Sequence, residues 1–248
     1  MLDNLKILYH QGKQFIPNVQ TAKVPGIFRG RPIISSEKVN EVELVEICPT
    51  NAITANPLAI DLGKCTFCGE CAKCFPNKIQ FTTDYKLATN LRENLIVKEG
   101  DQNAIQINQD KIRNEIKNFF GNSLKLRQVC AGGDNSCEWE LNAANNVQFD
   151  MGRFGIEFVA SPRHADGIVI TGPITENMAE PLQICYDAIP NPKIIVLAST
   201  DAISGGIFEN SPAVDRSFLN KYPIDLYLPG NPVHPLTIIN GLLGLTKR

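Results

Sequence analysis

No stretch of this 248-residue chain runs apolar for the ~18–20 residues that a helix needs to cross a bilayer. Neither sign of charge is in excess. Against 24 Lys and Arg stand 26 Asp and Glu, a net −2, so there is no basic field to hold nucleic acid. The opening Met1-Leu2-Asp3-Asn4-Leu5-Lys6 is not followed by the apolar core of a signal peptide. Together these absences predict a cytoplasmic protein with no membrane span of its own, attached to a membrane only through partners. Nucleotide signatures are missing too. Ser204-Gly205-Gly206 is glycine-rich, yet it has neither a Lys-Ser/Thr ending nor G-x-G-x-x-G spacing. A chain 43% hydrophobic and 20% charged is an ordinary globular one, and its length accommodates two domains.

Cysteine, by contrast, is plentiful. Five of the eight fall between Cys48 and Cys74, and the others are Cys130, Cys137 and Cys185. Clustered thiols without an export signal point to metal before disulfides. Cys65-Thr66-Phe67-Cys68-Gly69-Glu70-Cys71 is a C-x-x-C-x-x-C run. Three thiolates so spaced on a tight loop reach three corners of an iron–sulfur cube, and Gly69 lets the backbone turn sharply and aim its N–H groups at sulfur. A fourth thiolate is required. Cys48, followed by Pro49 and lying 17 residues upstream of Cys65, is one candidate, and Cys74, at C-x-x-C spacing from Cys71, is another. Zinc is the rival metal, but it usually pairs two C-x-x-C knuckles across a longer spacer rather than a single run with a remote Cys-Pro.

The chain divides into four pieces. Residues 1–25 form a lead-in whose Leu5, Ile7, Leu8 and Phe15 are available to a partner. Residues 26–85 hold the cysteine-rich segment, where Val42, Leu44 and Ile47 predict a strand–turn repeat ahead of Cys48. Residues 86–122 read as a linker with a helix over 109–120, and residues 123–248 as an α/β domain. In that last piece 167–173, 193–198 and 224–230 are short β-branched or apolar runs between turn signals, suited to buried parallel strands. Between the first two, Met178, Leu182, Cys185 and Tyr186 recur at helical spacing over 177–188. The resulting β-α-β pattern predicts a central, largely parallel sheet, closed by an amphipathic helix over 235–245. Trp139 and Cys185 are expected in the core, and His164 in a loop-positioning role before a strand.

Cys48-Pro49-Thr50-Asn51-Ala52-Ile53 followed by Lys64 and the three-cysteine run resembles the second half of a bacterial two-cluster ferredoxin. The first run of that family would lie around 34–45, which has no cysteine, and Phe75 stands where its fourth cysteine would be. The resemblance therefore implies one 4Fe–4S cluster on Cys48, Cys65, Cys68 and Cys71, with Cys74 one residue out of register, in an α+β ferredoxin-like domain. A second resemblance covers 124–245. Cys137-Glu138-Trp139-Glu140-Leu141, Val169-Ile170-Thr171-Gly172-Pro173, Ala202-Ile203-Ser204-Gly205-Gly206-Ile207-Phe208 and Leu228-Pro229-Gly230-Asn231-Pro232 resemble, in order, the small subunit of membrane-bound nickel–iron hydrogenases of the formate hydrogenlyase type and the 20-kDa subunit of complex I. Phe28-Arg29-Gly30-Arg31-Pro32 resembles the ferredoxin-like subunit of the same complexes, so two neighbouring subunits look fused in one chain.

In that family the α/β domain carries a proximal cluster on four cysteines. The matching positions here are Asp134, Cys137, Asp201 and Asn231, with Cys130 four residues upstream of the first. One thiolate is a poor cage for an iron–sulfur cube, so this second cluster is expected to be absent, its pocket filled by hydrogen bonds from aspartate and asparagine. Glu140 matches an acidic residue beside the family's cluster, and His234 stands where the family often has arginine. The resemblance implies an electron-transfer subunit of a membrane-associated hydrogenase-like or complex I-like oxidoreductase. Its partners would be a hydrogenase large-subunit-like or 49-kDa-like protein and membrane subunits, at the inner face of the cytoplasmic membrane. The alternative is a docking subunit whose C-terminal domain has lost its cluster.

Overall fold

The computed structural model describes residues 2–12 and 14–247. Helix α1 (Leu2–Gln11) buries none of its residues, and its Leu2, Leu5, Ile7, Leu8 and Tyr9 face outward. The cysteine-rich part then builds two small antiparallel sheets. Strand β1 (Pro32–Ile34) precedes α2 (Glu41–Glu46), β2 (Ile53–Thr54) and β3 (Ala59–Asp61). After α3 (Glu70–Cys74) come β4 (Ile79–Phe81) and β5 (Ile96–Lys98). β1 pairs with β4, while β3 lies between β2 and β5. The sheet thus draws a strand from beyond residue 85.

Two local expectations fail here. Residues 41–46 are helical rather than extended: Glu41 and Glu43 sit in the first turn, where carboxylates suit the helix dipole, and only Leu44 is buried. The helix expected over 109–120 is split into a 3-10 turn, Gln109–Lys111, and α4 (Asn114–Phe119). The break at Ile112–Arg113 is extended because the Arg113 guanidinium is drawn onto Asp225, at 2.8 and 3.0 Å, and onto the Lys193 carbonyl at 2.6 Å.

The C-terminal half is an α/β unit. β6 (Leu124–Cys130), α5 (Ser136–Ala144), β7 (Ile156–Phe158), β8 (Gly167–Thr171), α6 (Glu176–Asp187) and β9 (Ile194–Ala198) follow in turn. α7 (Thr200–Ser204), α8 (Ser217–Lys221), β10 (Leu226–Leu228) and α9 (Pro235–Thr246) complete it. The five strands lie in the order β10-β9-β8-β6-β7, every pair parallel. Every residue of β8 and β9 is buried, as expected of runs apolar on both faces. β6, β7 and α5 carry no comparably plain signal. α9 packs against α5, α4 and β10 and is buried almost all round. Trp139 lies on the outer face of α5, 71% exposed, because Leu141 and Ala144 take the inward positions; it is not a core residue. Cys185 is half-buried against the core.

The two halves share one continuous apolar core running from Ile34 and Leu44 to Ile170 and Phe218. Polar ties fix them as well. Thr89 and Tyr227 exchange backbone hydrogen bonds of 3.1 and 2.8 Å, and the Thr237 hydroxyl donates to the Tyr85 carbonyl at 2.7 Å. Among the described residues no helix is long and apolar enough to cross a membrane.

Candidate metal centre

The tight turn after β3 begins the site. Asp61 receives both guanidinium nitrogens of Arg92, at 2.8 and 2.6 Å, and its carbonyl accepts from the Lys64 and Cys65 amides at 3.0 and 2.9 Å. Cys65 is thereby fixed at the head of its loop. Gly69, at φ +82°, supplies the left-handed turn that starts α3 and places Cys71, buried, in its first turn. On the other side, Asn51 at φ +50° reverses the chain after Cys48-Pro49. The Ala52 amide then donates to the Cys48 sulfur at 3.2 Å.

These elements bring Cys48, Cys65, Cys68 and Cys71 onto the walls of one narrow recess, with Ile60, Phe81, Ile47 and Ile53 behind them. Cys74 is exposed at the end of α3 and does not line it. Burial pushes the Cys65 thiol up to about 12, and Cys71, Cys48 and Cys68 add to the rise, against a 3.3 Å hydrogen bond from the Phe67 amide. Burial, then Cys68 and Cys48, pushes Cys71 up to about 11. Thiols so placed become thiolates only if positive charge compensates them, which is what a metal centre supplies. Among the described residues no three His, Cys, Asp or Glu side chains converge as ligands of a single ion.

The loop also leans on the α/β half. The Thr200 hydroxyl, in α7, donates to the Cys65 carbonyl at 2.8 Å, and Lys64 pairs with Glu209 at 2.8 Å. The residue after Thr200 is Asp201. This residue is 6% exposed, its Oδ1 has no hydrogen-bond partner among the described residues, and burial, with Asp134 adding, pushes its pKa up to about 6. Cys137, in the first turn of α5, is buried beside it. Burial raises this thiol to about 12, with Glu138 and Asp201 adding, while the Val233 amide and Ser199 hydroxyl act in the opposite sense. Asp134 spends its Oδ1 on the Ser136 amide and hydroxyl at 3.0 and 2.6 Å, which hold its pKa low. The structure therefore gathers Asp134, Cys137 and Asp201. The expected filling by hydrogen bonds fails at Asp201, whose buried Oδ1 lies against Gly206 and has no hydrogen-bond partner among the described residues.

Asn231 lines a cavity of about 430 Å³ with Phe28, Arg29, Phe67, Cys68 and His234, and its loop borders the same group: the Gly230 carbonyl accepts from the Thr200 amide at 2.9 Å and the Val233 amide donates to Cys137. His234 is half-buried between the rings of Phe28 and Phe149, its Nδ1 accepts from the Leu236 amide at 3.1 Å, and burial lowers its pKa. Cys130 is exposed, with burial and Glu138 raising its pKa; Glu138 itself hydrogen-bonds the Thr171 hydroxyl. Burial raises the Glu140 pKa, and His164 is exposed in a 3-10 turn. Thr200 and Arg92 carry no motif that sequence reasoning singles out. Arg29 falls in such a motif, Phe28-Arg29-Gly30-Arg31-Pro32, but only as part of a resemblance.

Residues 134–245 match the family model described as "NADH ubiquinone oxidoreductase, 20 Kd subunit". The chain is 34% identical over 125 residues to the probable membrane-bound hydrogenase subunit mbhJ of Pyrococcus furiosus, covering 50% of this chain and 75% of that one. It is 41% identical over 113 residues to an NADH-quinone oxidoreductase subunit of Clostridium beijerinckii, covering 45% and 67%. To formate hydrogenlyase subunit 7 of Escherichia coli it is 38% identical over 129 residues, 51% of each chain.

Proposed function

The chain belongs to the NADH ubiquinone oxidoreductase, 20 Kd subunit family, and from that premise we propose that it is an iron–sulfur electron-transfer subunit of a membrane-associated hydrogenase-like or complex I-like oxidoreductase. The observation that carries the reading is the recess lined by four thiols, outside the residues that the family model matches.

The soft donor set fits a 4Fe–4S cluster held by Cys48, Cys65, Cys68 and Cys71. When bound, such a cluster accepts and returns one electron. The chain's own part is to bind, screen and orient. Ile60 and Phe81 limit water, the Ala52 and Phe67 amides donate to sulfur, and Thr200 ties the loop to the α/β half. Cys48 is preferred to Cys74 because it lines the recess and Cys74 does not. We read 26–85, completed by β5, as a ferredoxin-like unit preceded by the 1–25 lead-in and joined through 86–122 to the α/β unit of 123–248. That arrangement amounts to a fusion of two subunits that are neighbours in related complexes.

The Asp134, Cys137 and Asp201 cluster does not fit an iron–sulfur group. It offers one thiol, and Asp134 is already committed to Ser136. We propose no second cluster there. A large-subunit-like partner would dock on this face, where Trp139 is 71%, Ile207 62% and Phe208 43% exposed. With membrane subunits it would hold the chain at the cytoplasmic face of the membrane. The same exposed apolar face favours a second reading, in which the α/β unit is chiefly a docking scaffold.

Iron and acid-labile sulfide analysis of anaerobically purified protein, with electron paramagnetic resonance, tests the first reading. About four irons and one S = 1/2 signal on reduction are expected. Cys48→Ser should lose the signal and Cys74→Ser keep it. Iron-free or zinc-loaded protein would sink the proposal, and about eight irons would refute the account of the α/β unit.

A further inference from the structure

We propose that Arg29 is a positioning residue for the cluster loop and sets the reduction potential of the cluster it holds. This inference rests on the four-thiolate reading above.

Arg29 lies outside the cysteine motif, yet its Nε donates to the Phe67 carbonyl at 2.6 Å across 38 residues of sequence. Its side chain lies along the loop: a Cβ at Gly69 would meet Arg29 Cδ at 3.0, Nε at 3.3 and Cζ at 3.5 Å. Gly69 thus serves two ends, the left-handed turn and the close approach of a guanidinium. Arg29 also shares the wall of the 430 Å³ cavity with Cys68. Among the described residues it forms no ion pair with a carboxylate, so its charge is not spent on a neighbour.

Phe67 gives this contact its consequence. It is a buried aromatic residue at φ +54°, a conformation that side chains other than glycine and asparagine seldom take. In that conformation one peptide group points each way: the Phe67 amide donates to the Cys65 sulfur at 3.3 Å, and its carbonyl accepts from Arg29. Arg29 therefore tethers the strained residue whose N–H is aimed at a ligand sulfur. Reduction adds negative charge to a cluster already surrounded by thiolates. A nearby cation and an N–H···S hydrogen bond both favour the reduced form more than the oxidised one, so both raise the potential.

The test uses the full chain, purified without oxygen, as wild type, Arg29→Lys, Arg29→Gln and Arg29→Ala. Iron and sulfide are counted first, then each sample is titrated redox-potentiometrically with paramagnetic resonance detection at low and high salt. The expected result is full iron content with a lowered midpoint potential. The shift should be smallest for Arg29→Lys, which keeps the charge, and largest for Arg29→Ala, which loses charge and tether. The gap between wild type and Arg29→Gln should narrow as salt screens the charge. Potentials equal to wild type in iron-replete Arg29→Gln and Arg29→Ala would overturn the inference. Iron loss from all three variants in otherwise folded protein would do so too, leaving Arg29 a residue of loop structure only. Absence of iron from the wild type would instead refute the four-thiolate reading, and the iron count separates the two failures.

Discussion

Asp201→Asn should make this protein more stable at neutral pH, although it removes a charged side chain from the heart of a family motif. Asp201 is 6% exposed, its Oδ1 accepts no hydrogen bond among the described residues, and no cation is paired with it there. Burial, with Asp134 adding, lifts its pKa from 3.8 to about 6. The sign follows from proton linkage. Below pH ~4 the group is protonated both folded and unfolded and contributes nothing. Between pH ~4 and ~6 the unfolded chain releases the proton while the folded chain keeps it, so stability falls as pH rises. Above pH ~6 the full penalty stands, at most ~3 kcal/mol at ~1.4 kcal/mol for each tenfold in proton affinity. Asparagine cannot ionise and fills nearly the same volume, but its buried amide also lacks a partner, so a net gain of ~1–2 kcal/mol is expected. Urea denaturation of wild type and Asp201→Asn, purified alike without oxygen, at pH 4.5 and pH 7.5 measures it. The variant should exceed wild type at pH 7.5 and nearly match it at pH 4.5. A variant less stable at pH 7.5, or an equal difference at both pH values, would refute the reasoning and point to a favourable partner for the ionised carboxylate.

Two further outcomes concern the tie of the 86–122 linker to the α/β unit and the tie between the halves. Arg113→Ala strips the bidentate partner from Asp225, whose pKa is already raised by burial despite Arg113, and should cost ~3 kcal/mol at pH 7.5. The loss should shrink as the pH falls and the carboxyl, its pKa raised by burial, protonates and needs no cation; a thermal melt series across pH checks this. Thr200→Val removes the donor to the Cys65 carbonyl and should cost ~1 kcal/mol in urea while leaving iron content intact. Iron loss would show that the interface holds the cluster loop in shape.

Thr200 also changes how the two sites relate. α7 offers one residue to the Cys65 loop and the next, Asp201, to the group with Cys137. The thiol recess and the position where the resemblance places a proximal cluster are therefore back to back on one short helix.

The sequence alone determined the candidate thiols and the parallel sheet, because both are written in local pattern. C-x-x-C-x-x-C sets three candidate donors on one loop. Runs such as 167–171 and 194–198, apolar at nearly every position, have only a buried parallel strand to enter. Residues 41–46 misled because an alternation of six residues fits a strand and a one-sided helix equally. Trp139 misled because hydrophobicity does not say which face of α5 is inward. Tertiary structure decided the rest. The lining of the recess by Cys48 and not Cys74, the unpartnered carboxylate of Asp201, and the reach of Arg29 to Phe67 all depend on segments tens of residues apart meeting in space. No local periodicity encodes such meetings; they follow from how the two halves close on a shared core.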